Sequence, residues 1–533
     1  MPQMSEKEDC TFSLLHLVYQ LANLVYLQRC DGARPACGPC IRADRANECE
    51  YADGQGQTQN QLLEQQVTQL ESRIAEIENS VATPIVLYDP YEAFHRSAAG
   101  SQSGQQRDPT LHSLMASFFQ HVSEVGFFLH IPRFLQQVSA VPSTSLPVHT
   151  SLTLNAIYTL GAHFSREPQL RSQEATFLSR VLEQLPTALS RSQPVAILHV
   201  LQTEILLSYY FMDNNRSLEG IYHSNAAASM ALACKLHQIR SSRYLGASTG
   251  HATSAPYRLN PPVNGVEEGE RINALWAAYI LDKSWSIAFG SSTAFTEEDG
   301  KGMVIDTPWP VDLASMEMDP LPVNLRSSRT VQTFLQSSGV PGATVQSIQA
   351  LYAQAISLCA QAKNIASRWS PNNATFQSNF THFNNRVEQF KSVLPSIASV
   401  DPNRRDLIRK LLVIHTLAHS ATLILYKPVE AQMVALNGRS WMAATAIAAT
   451  LRNVDLNMID FISPISAALW KTAADVIVRG YMTARQQSNI SPQQRASLLE
   501  PLNRILSAIQ KWRAISPLMN HHASAIQQAI TGL

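Results

Sequence analysis

The chain has 533 residues, of which 45% are hydrophobic and 15% charged, and its 41 basic and 41 acidic side chains leave no formal net charge. This length is enough for several domains, and the apolar content is enough for a large buried core. Zero net charge excludes a protein that coats nucleic acid along its whole surface, so any contact with phosphate has to be local. Seven cysteines are too few for a disulfide scaffold in a chain of this length.

Residues 1–29 form an atypical N-terminal segment. An uncharged run of 18 residues, Thr11 to Gln28, follows the acidic residues Glu6, Glu8 and Asp9. A membrane span needs about 20 mainly apolar residues and a signal peptide needs a basic start, which weakens both interpretations. The favoured hypothesis is that the segment is not native, because a misassigned first exon or a translated intron has replaced the true one. An amphipathic helix against the main body is the alternative.

Four of the seven cysteines lie within 20 residues, in residues 30–53, with the spacing Cys-x6-Cys-x2-Cys-x8-Cys. Two thiolates separated by two residues can bind one metal ion, because a tight turn places both sulfurs on one side of the backbone. Gly38 and Pro39 supply the residues that favour such a turn. The pattern predicts a zinc site in a reducing compartment. Its candidate ligands are Cys30, Cys37, Cys40 and Cys49.

This stretch resembles the second half of the fungal zinc binuclear cluster, in which six cysteines hold two zinc ions. The resemblance implies that the four cysteines are the third to sixth ligands of a DNA-binding domain in a nuclear protein. The first two ligands and the basic helix that carries them are missing, since the preceding Cys10 is single and lies too far upstream. The four cysteines can still form one tetrahedral site, although the family does not place all four on the same ion.

The missing helix limits what can be expected at DNA. Residues 1–50 contain five basic and seven acidic side chains, and this balance opposes tight binding because phosphate neutralisation supplies much of the affinity. We therefore assign no base-reading residue. Arg42 and Arg45 are expected at most to contact phosphate, and a solvated face is an equally good interpretation.

Residues 54–59 are a polar linker, and residues 60–81 carry a heptad pattern. β-Branched residues at one core position and Leu at the other favour a parallel two-stranded coiled coil and hence a homodimer. Because three heptads are few, a lone amphipathic helix is the alternative. The core positions predicted to mediate dimerisation are Leu63, Val67, Leu70, Ile74 and Ile77.

Residues 82–110 are predicted to be a flexible linker, and residues 111–533 a large helical domain. The predicted fold class is all-α, a multi-helix regulatory domain preceded by a small zinc knot and a short parallel coiled coil. Apolar residues recur with helical periodicity in twelve runs. These are 111–137, 151–164, 175–187, 194–212, 217–240, 269–289, 344–367, 376–397, 405–426, 441–452, 464–485 and 494–515.

Several motifs in residues 110–430 resemble, in their order, the fungal-specific transcription factor domain, also called the middle homology region. They include a paired-aromatic helix ending in a His-x-Pro-x-Phe turn at 118–135 and a helix of small residues at 219–240. The best match comprises Glu268, Arg271, Leu275, Trp276, Asp282, Gly290 and the segment 306–310. The resemblance implies a nuclear DNA-binding regulator of RNA polymerase II transcription, with the transcription machinery and a small-molecule effector as partners.

The helix predicted over 269–289 leaves two interpretations open. Trp276 and Tyr279 can line an effector pocket, or they can simply pack in the bundle. Asp282 and Arg271 lie on the same side of the helix and are expected to anchor neighbouring backbone.

We assign no catalytic residue and predict that the protein is not an enzyme. His415 and His419 have the spacing of a zinc-protease helix but lack the adjacent Glu that would act as general base. Two functions other than the favoured one remain. The first is a truncated, dimeric interaction protein that does not bind DNA; the second is an all-α enzyme or lipophilic carrier, which has little support.

Overall fold

The computed structural model describes eleven ranges of the chain. They fall into two units, Met1–Asp89 and Pro90–Leu533, each of which is treated by itself. Within these ranges the regular secondary structure is helical, with one isolated bridge between Ser241 and Ser327. The predicted all-α fold class is therefore confirmed. The ranges are 31–44, 46–49, 66–72, 109–142, 145–190, 194–243, 259–296, 303–337, 347–430, 438–487 and 491–532.

The first unit contains a short knot and a separate helical stretch. The knot comprises helix α1 (Gly38–Arg42), which begins with Pro39 in its first turn, and a 3₁₀ turn at Ala46–Glu48. Residues 66–72 form helix α2. The remainder of the predicted coiled coil at 60–81 lies outside the described residues.

The second unit is a bundle of helices joined by irregular segments. Its first eight helices are α3 (Pro109–Phe119), α4 (Ile131–Ala140), α5 (Val148–Phe164), α6 (Pro168–Arg171), α7 (Glu174–Ser190), α8 (Pro194–Asp213), α9 (Ser217–Ala233) and α10 (Gly265–Phe289). The others are α11 (Leu313–Met318), α12 (Thr330–Gln336), α13 (Ile348–Ser367), α14 (Ala374–Val393), α15 (Arg405–Tyr426), α16 (Arg439–Arg452), α17 (Ile465–Gln487), α18 (Pro492–Trp512) and α19 (Pro517–Thr531).

Helix α10 packs against helices that precede it in the chain and helices that follow it. Its neighbours include α8, α9, α11, α13 and α17. Sixteen of its residues are buried, including Trp276, Tyr279 and Trp285. A helix that is buried on all sides cannot show one apolar stripe, which explains why its sequence lacks a clean polar face.

Helix α15 is the second deeply buried helix. It is long and apolar enough to span a membrane by length and composition, and among the described residues it is the one helix that meets that test. However, 78% of its apolar window is buried inside the bundle, against α13, α16 and α17. Its composition therefore reflects the core of a bundle.

Two glycines permit close helix crossings. A Cβ atom on Gly161 of α5 would lie 2.1 Å from the carbonyl oxygen of Leu114 in α3. A Cβ on Gly220 of α9 would lie 2.0 Å from the ring of Trp285 in α10. At Gly161 the missing side chain lets two backbones approach closely, and at Gly220 it leaves room for the buried indole ring of Trp285.

Three differences from the sequence predictions are found in the helical unit. The single run predicted over 111–137 is interrupted after Phe119, and a new helix begins at Ile131. Gly126 has a φ of +67°, which a continuous helix does not accommodate. Pro132 lies in the first turn of α4, so the His-x-Pro-x-Phe segment starts a helix and does not end one. Helix α19 was missed, although Ser516 caps it.

A buried charge network ties helices α5, α7 and α8 to the C-terminal helix. His163 lies 2.7 Å from Asp213 and 3.2 Å from Glu174. Ser516, the N-cap of α19, donates a hydrogen bond of 2.5 Å to the other oxygen of Asp213. Burial by itself would lower the pKa of His163, but the hydrogen bonds with Asp213 and Glu174 outweigh it and raise the pKa to about 9.

This network predicts a stability that depends on pH. Since the pKa of His163 in the folded protein lies above its ordinary value of 6.5, its stabilisation is complete below pH 6.5 and is lost as the pH rises through about 9. We expect His163→Gln to lower the free energy of unfolding by about 3 kcal/mol at neutral pH, because the buried Asp213 and the partly buried Glu174 lose their cation. Urea denaturation from pH 6.5 to about 9 measures both effects.

The matched control is His382→Gln, because His382 is exposed on α14. It should leave the free energy of unfolding within about 0.5 kcal/mol of the wild-type value. If the wild type and His163→Gln lose stability in parallel as the pH rises, His163 is not the group responsible.

Candidate metal centre and regulatory domain

The knot in the first unit brings three of the four predicted ligands together. The sulfur atoms of Cys37, Cys40 and Cys49 all lie within 4.8 Å of one another. Cys37 and Cys40 are 0% and 5% exposed, and Cys49 packs against them. The fourth predicted ligand, Cys30, lies outside the described residues. Three close cysteines of this kind could bind a metal ion.

Asp31 fixes the loop that leads into α1. Its carboxylate accepts hydrogen bonds from the backbone N–H of Gly38 at 3.0 Å and of Ala33 at 3.2 Å. These bonds, that of Gly38 first, lower the pKa of Asp31. A Cβ atom at position 38 would lie 2.4 Å from Oδ2 of Asp31, so glycine is the residue that leaves room for the carboxylate. The loop is thus built around α1, which carries Cys40.

The three neighbouring thiols are better suited to binding a cation than to ionising beside one another. A hydrogen bond with the Cys37 thiol, burial and a hydrogen bond with the Cys49 thiol raise the pKa of Cys40 to about 12, and repulsion between neighbouring thiolates acts in the same direction. A divalent cation removes that repulsion and binds the thiolate forms. The backbone N–H of Cys37 already donates to Sγ of Cys49 at 3.3 Å, which stabilises a negative charge there. This donor set fits zinc.

The other predicted site residues of this unit divide into two groups. Arg42 is exposed at the end of α1, and Val67 and Leu70 are 52% and 62% exposed on α2. The structure thus leaves Val67 and Leu70 on the surface of a single chain, three residues apart on one helix. The remaining predicted residues, Arg45, Leu63, Ile74 and Ile77, lie outside the described residues.

In the second unit, Trp276 and Tyr279 differ with respect to the two interpretations left open for them, an effector pocket and packing in the bundle. Trp276 borders a cavity of about 60 Å³, stacks on Trp309 at 4.6 Å and donates from Nε1 to the carbonyl oxygen of Pro308. Tyr279 is fully buried, contacts Ser357 through its hydroxyl at 3.0 Å and does not line this cavity. Packing in the bundle therefore explains Tyr279.

Asp282 and Arg271 of α10 hydrogen-bond to the backbone of neighbouring segments, as the sequence predicts. Asp282 accepts hydrogen bonds from the backbone N–H groups of Ala294 at 2.9 Å and Phe295 at 3.4 Å. Arg271 donates to the carbonyl oxygen of Asn260 at 2.5 Å and to Glu267 at 2.6 Å. Both ends of the helix thereby fix the irregular segments that flank it.

Of the two histidines of α15, His415 has a backbone partner and His419 is largely shielded from water. Nε2 of His415 lies 2.9 Å from the carbonyl oxygen of Pro395, and burial lowers the pKa of His419 to about 4. Within the part of the chain that the structure describes, the close group of metal-ligating side chains is the cysteine trio in the first unit.

A cavity that the sequence analysis did not anticipate lies near the N-terminus of α10. Its volume is about 310 Å³, and its walls come from α4, α8, α10 and residues 260–263. Residues from three separate stretches of the chain form it, so no local sequence pattern indicates it.

The comparisons with known proteins concern the helical unit. No curated protein and no solved structure matches the chain. The family model of the fungal specific transcription factor domain matches residues 115–514, which is 400 of the 533 residues. This range extends from α3 to the segment after α18 and includes α10 and α15. The chain therefore belongs to the family of fungal transcription regulators that carry this domain.

Proposed function

We propose that the protein is a nuclear transcription factor of the zinc cluster type, which binds DNA and regulates RNA polymerase II transcription. The observation that carries this proposal is the convergence of Cys37, Cys40 and Cys49 in a unit that precedes a transcription-regulator domain. The family itself consists of transcription regulators and not of enzymes, and it implies a nuclear protein. The transcription machinery and a small-molecule effector are the further partners of this proposal.

Zinc has a structural role in this proposal. The buried residues that cluster in the knot are the cysteines themselves, so burial of apolar area contributes little to its stability. Bound to the thiolates of Cys37, Cys40 and Cys49, with Cys30 as the fourth ligand, zinc would supply the cross-link that closes the fold. The chain's own contribution is the hydrogen bonding of Asp31 to the backbone of Gly38, which fixes the loop at the start of α1.

The zinc proposal predicts a metal content that depends on the knot. Purified full-length protein should contain close to one zinc per chain, and Cys40→Ser should remove most of it, because one buried thiolate ligand is lost. Elemental analysis by mass spectrometry measures the content. Cys234→Ser is the matched control. Cys234 is a buried cysteine in the helical unit, where it is the C-cap residue of α9. Equal zinc in both variants, or none in the wild type, contradicts the proposal.

DNA binding is tested by selection from random duplexes with the zinc-loaded full chain. We expect one sequence to be enriched, with an affinity that falls as salt rises, because phosphate contacts release counterions. Arg42→Gln should weaken binding to all sequences and reduce the salt slope by about one. Arg405→Gln, at an exposed arginine of α15, should leave both unchanged.

Absence of any enriched sequence favours the second candidate function, a dimeric interaction protein that does not bind DNA. The excess of acidic over basic side chains in residues 1–50 is the observation that supports it. The zinc content does not decide between the two, because a closed knot can also serve as a protein-binding module.

Dimerisation through residues 60–81 is common to both candidates. Exposed Val67 and Leu70 on α2 are three residues apart, as the two core positions of a coiled coil are. We expect a dimer in sedimentation analysis and an increase of its dissociation constant by at least ~10-fold in Val67→Asp, because a charge would be buried in the seam. Ser72→Lys, outside the core positions, is the control. A dimer unchanged by Val67→Asp places the interface elsewhere.

A further inference from the structure

The cavity of about 310 Å³ in the helical unit has the size of a small-molecule site. Its apolar wall is formed by Leu129, Phe134 and Leu198, all of which are buried. Val263, which is 87% exposed, lies at its edge, so the cavity opens to solvent there. A largely apolar cavity with a few polar groups is the usual form of a ligand site.

Some of the polar groups around the cavity are committed to the protein itself. Arg271 is paired with Glu267 at 2.6 Å and with the carbonyl oxygen of Asn260. The second oxygen of Glu267 accepts from the backbone N–H of Val263 at 2.8 Å. These bonds build the wall at 260–263 and occupy both carboxylate oxygens of Glu267. Within the described residues, Nε of Arg271 is buried without a hydrogen-bond partner, so Arg271 keeps one donor.

Glu270 is different. One of its oxygens, Oε1, accepts a hydrogen bond from the backbone N–H of His130 at 2.8 Å. Within the described residues its other oxygen has no hydrogen-bond donor, and no cation lies within ion-pair distance of the carboxylate. Burial raises the pKa of Glu270, which is the direction expected for a carboxylate short of partners. Its second oxygen is therefore an acceptor at the cavity that lacks a donor among the described residues.

His199 adds a second acceptor. Its Nδ1 lies 3.2 Å from the hydroxyl of Thr153, which is also within hydrogen-bond distance of the backbone carbonyl oxygens of His149 and His199. In the tautomer whose ring hydrogen is on Nδ1 and is donated to that hydroxyl, Nε2 is an acceptor. Burial, followed by the neighbouring His149, lowers the pKa of His199 to about 3, so the ring remains neutral.

Arg133 supplies a donor of positive charge. It lies in the first turn of α4 and borders the cavity, where its one hydrogen bond among the described residues is a long one of 3.5 Å to Asn264. A guanidinium has five N–H donors and pairs with a carboxylate through two of them. Most of the hydrogen-bonding capacity of Arg133 is thus left for a ligand.

We propose that this cavity binds a small zwitterion with an apolar body, such as a free amino acid that has an apolar side chain. The ammonium group would be held by the carboxylate of Glu270 and by Nε2 of His199. The carboxylate would pair with Arg133, and the apolar side chain would lie against Phe134 and Leu198. Each end of such a ligand supplies the partner that the protein's own residues do not.

A regulatory role for this site rests on the proposed function. The walls include residues of α4, α8 and α10. Helix α10 also packs against α9, α13 and α17. A ligand held by Glu270 and Arg133 stabilises the arrangement of α10 against α4. Because the ligand binds the folded domain and not the unfolded chain, it raises the free energy of unfolding of the whole domain. The binding site is tested without DNA, so its failure is distinguishable from failure of the DNA-binding proposal.

The experiment is calorimetric titration and thermal denaturation of the full chain with four probes. These are free leucine, free phenylalanine, leucinamide, which lacks the carboxylate, and N-acetyl-leucine, which lacks the ammonium group. We expect saturable binding of leucine or phenylalanine, with a higher melting temperature. Each blocked probe should bind at least ~10-fold more weakly than leucine, because one charge-assisted contact is lost.

Variants identify the contacts. Glu270→Gln and Arg133→Gln should each weaken binding of the free amino acid by at least ~10-fold. Glu183→Gln on α7 and Arg495→Gln on α18 make the same chemical changes at exposed positions away from the cavity and should bind like the wild type. The proposal is overturned if neither amino acid binds, if the blocked probes bind equally well, or if both cavity variants retain wild-type affinity.

Discussion

Buried carboxylates hold the irregular segments of the helical unit against its helices. A backbone N–H removed from water must find an acceptor, and a long loop has few of its own. Asp306, with an exposed fraction of 0%, accepts from the Ser241 hydroxyl at 2.6 Å, from Nε of Arg243 at 2.8 Å and from the backbone N–H of Arg329 at 2.9 Å. Asp282 does the same for the segment after α10. These hydrogen bonds fix the irregular segments that lie against the helices.

A buried carboxylate also satisfies a backbone N–H group close to the turn that contacts α15. Glu124, in the 3₁₀ turn at Val122–Glu124, is 1% exposed, lies 3.9 Å from Lys410 of α15 and accepts from the backbone N–H of Ser463 at 3.1 Å. Burying two opposite charges is costly unless further hydrogen bonds complete the site, and here Lys410 also donates to the carbonyl oxygen of Ser123. Because these contacts require a specific geometry, they fix the position of α15 relative to the 3₁₀ turn at Val122–Glu124.

The two units differ in how they are stabilised. The helical unit buries large aromatic side chains such as Trp276, Trp470 and Trp512, and its stability comes from packing around them. In the described part of the knot the buried cluster consists of cysteines, so its stability depends on what those cysteines bind. Family membership is established for the helical unit alone, and the proposals about DNA depend on the knot.

The sequence by itself determined the all-α class, the range of α15, the family of the helical unit and the proximity of Cys37 to Cys40, because periodicity, composition and short spacing act locally. The tertiary structure alone decided that Gly126 interrupts the first predicted helix, that Tyr279 packs in the core and that Glu270 faces a cavity beside residues more than a hundred positions away. Contacts between distant segments depend on how helices cross, and a periodic pattern carries no information about that.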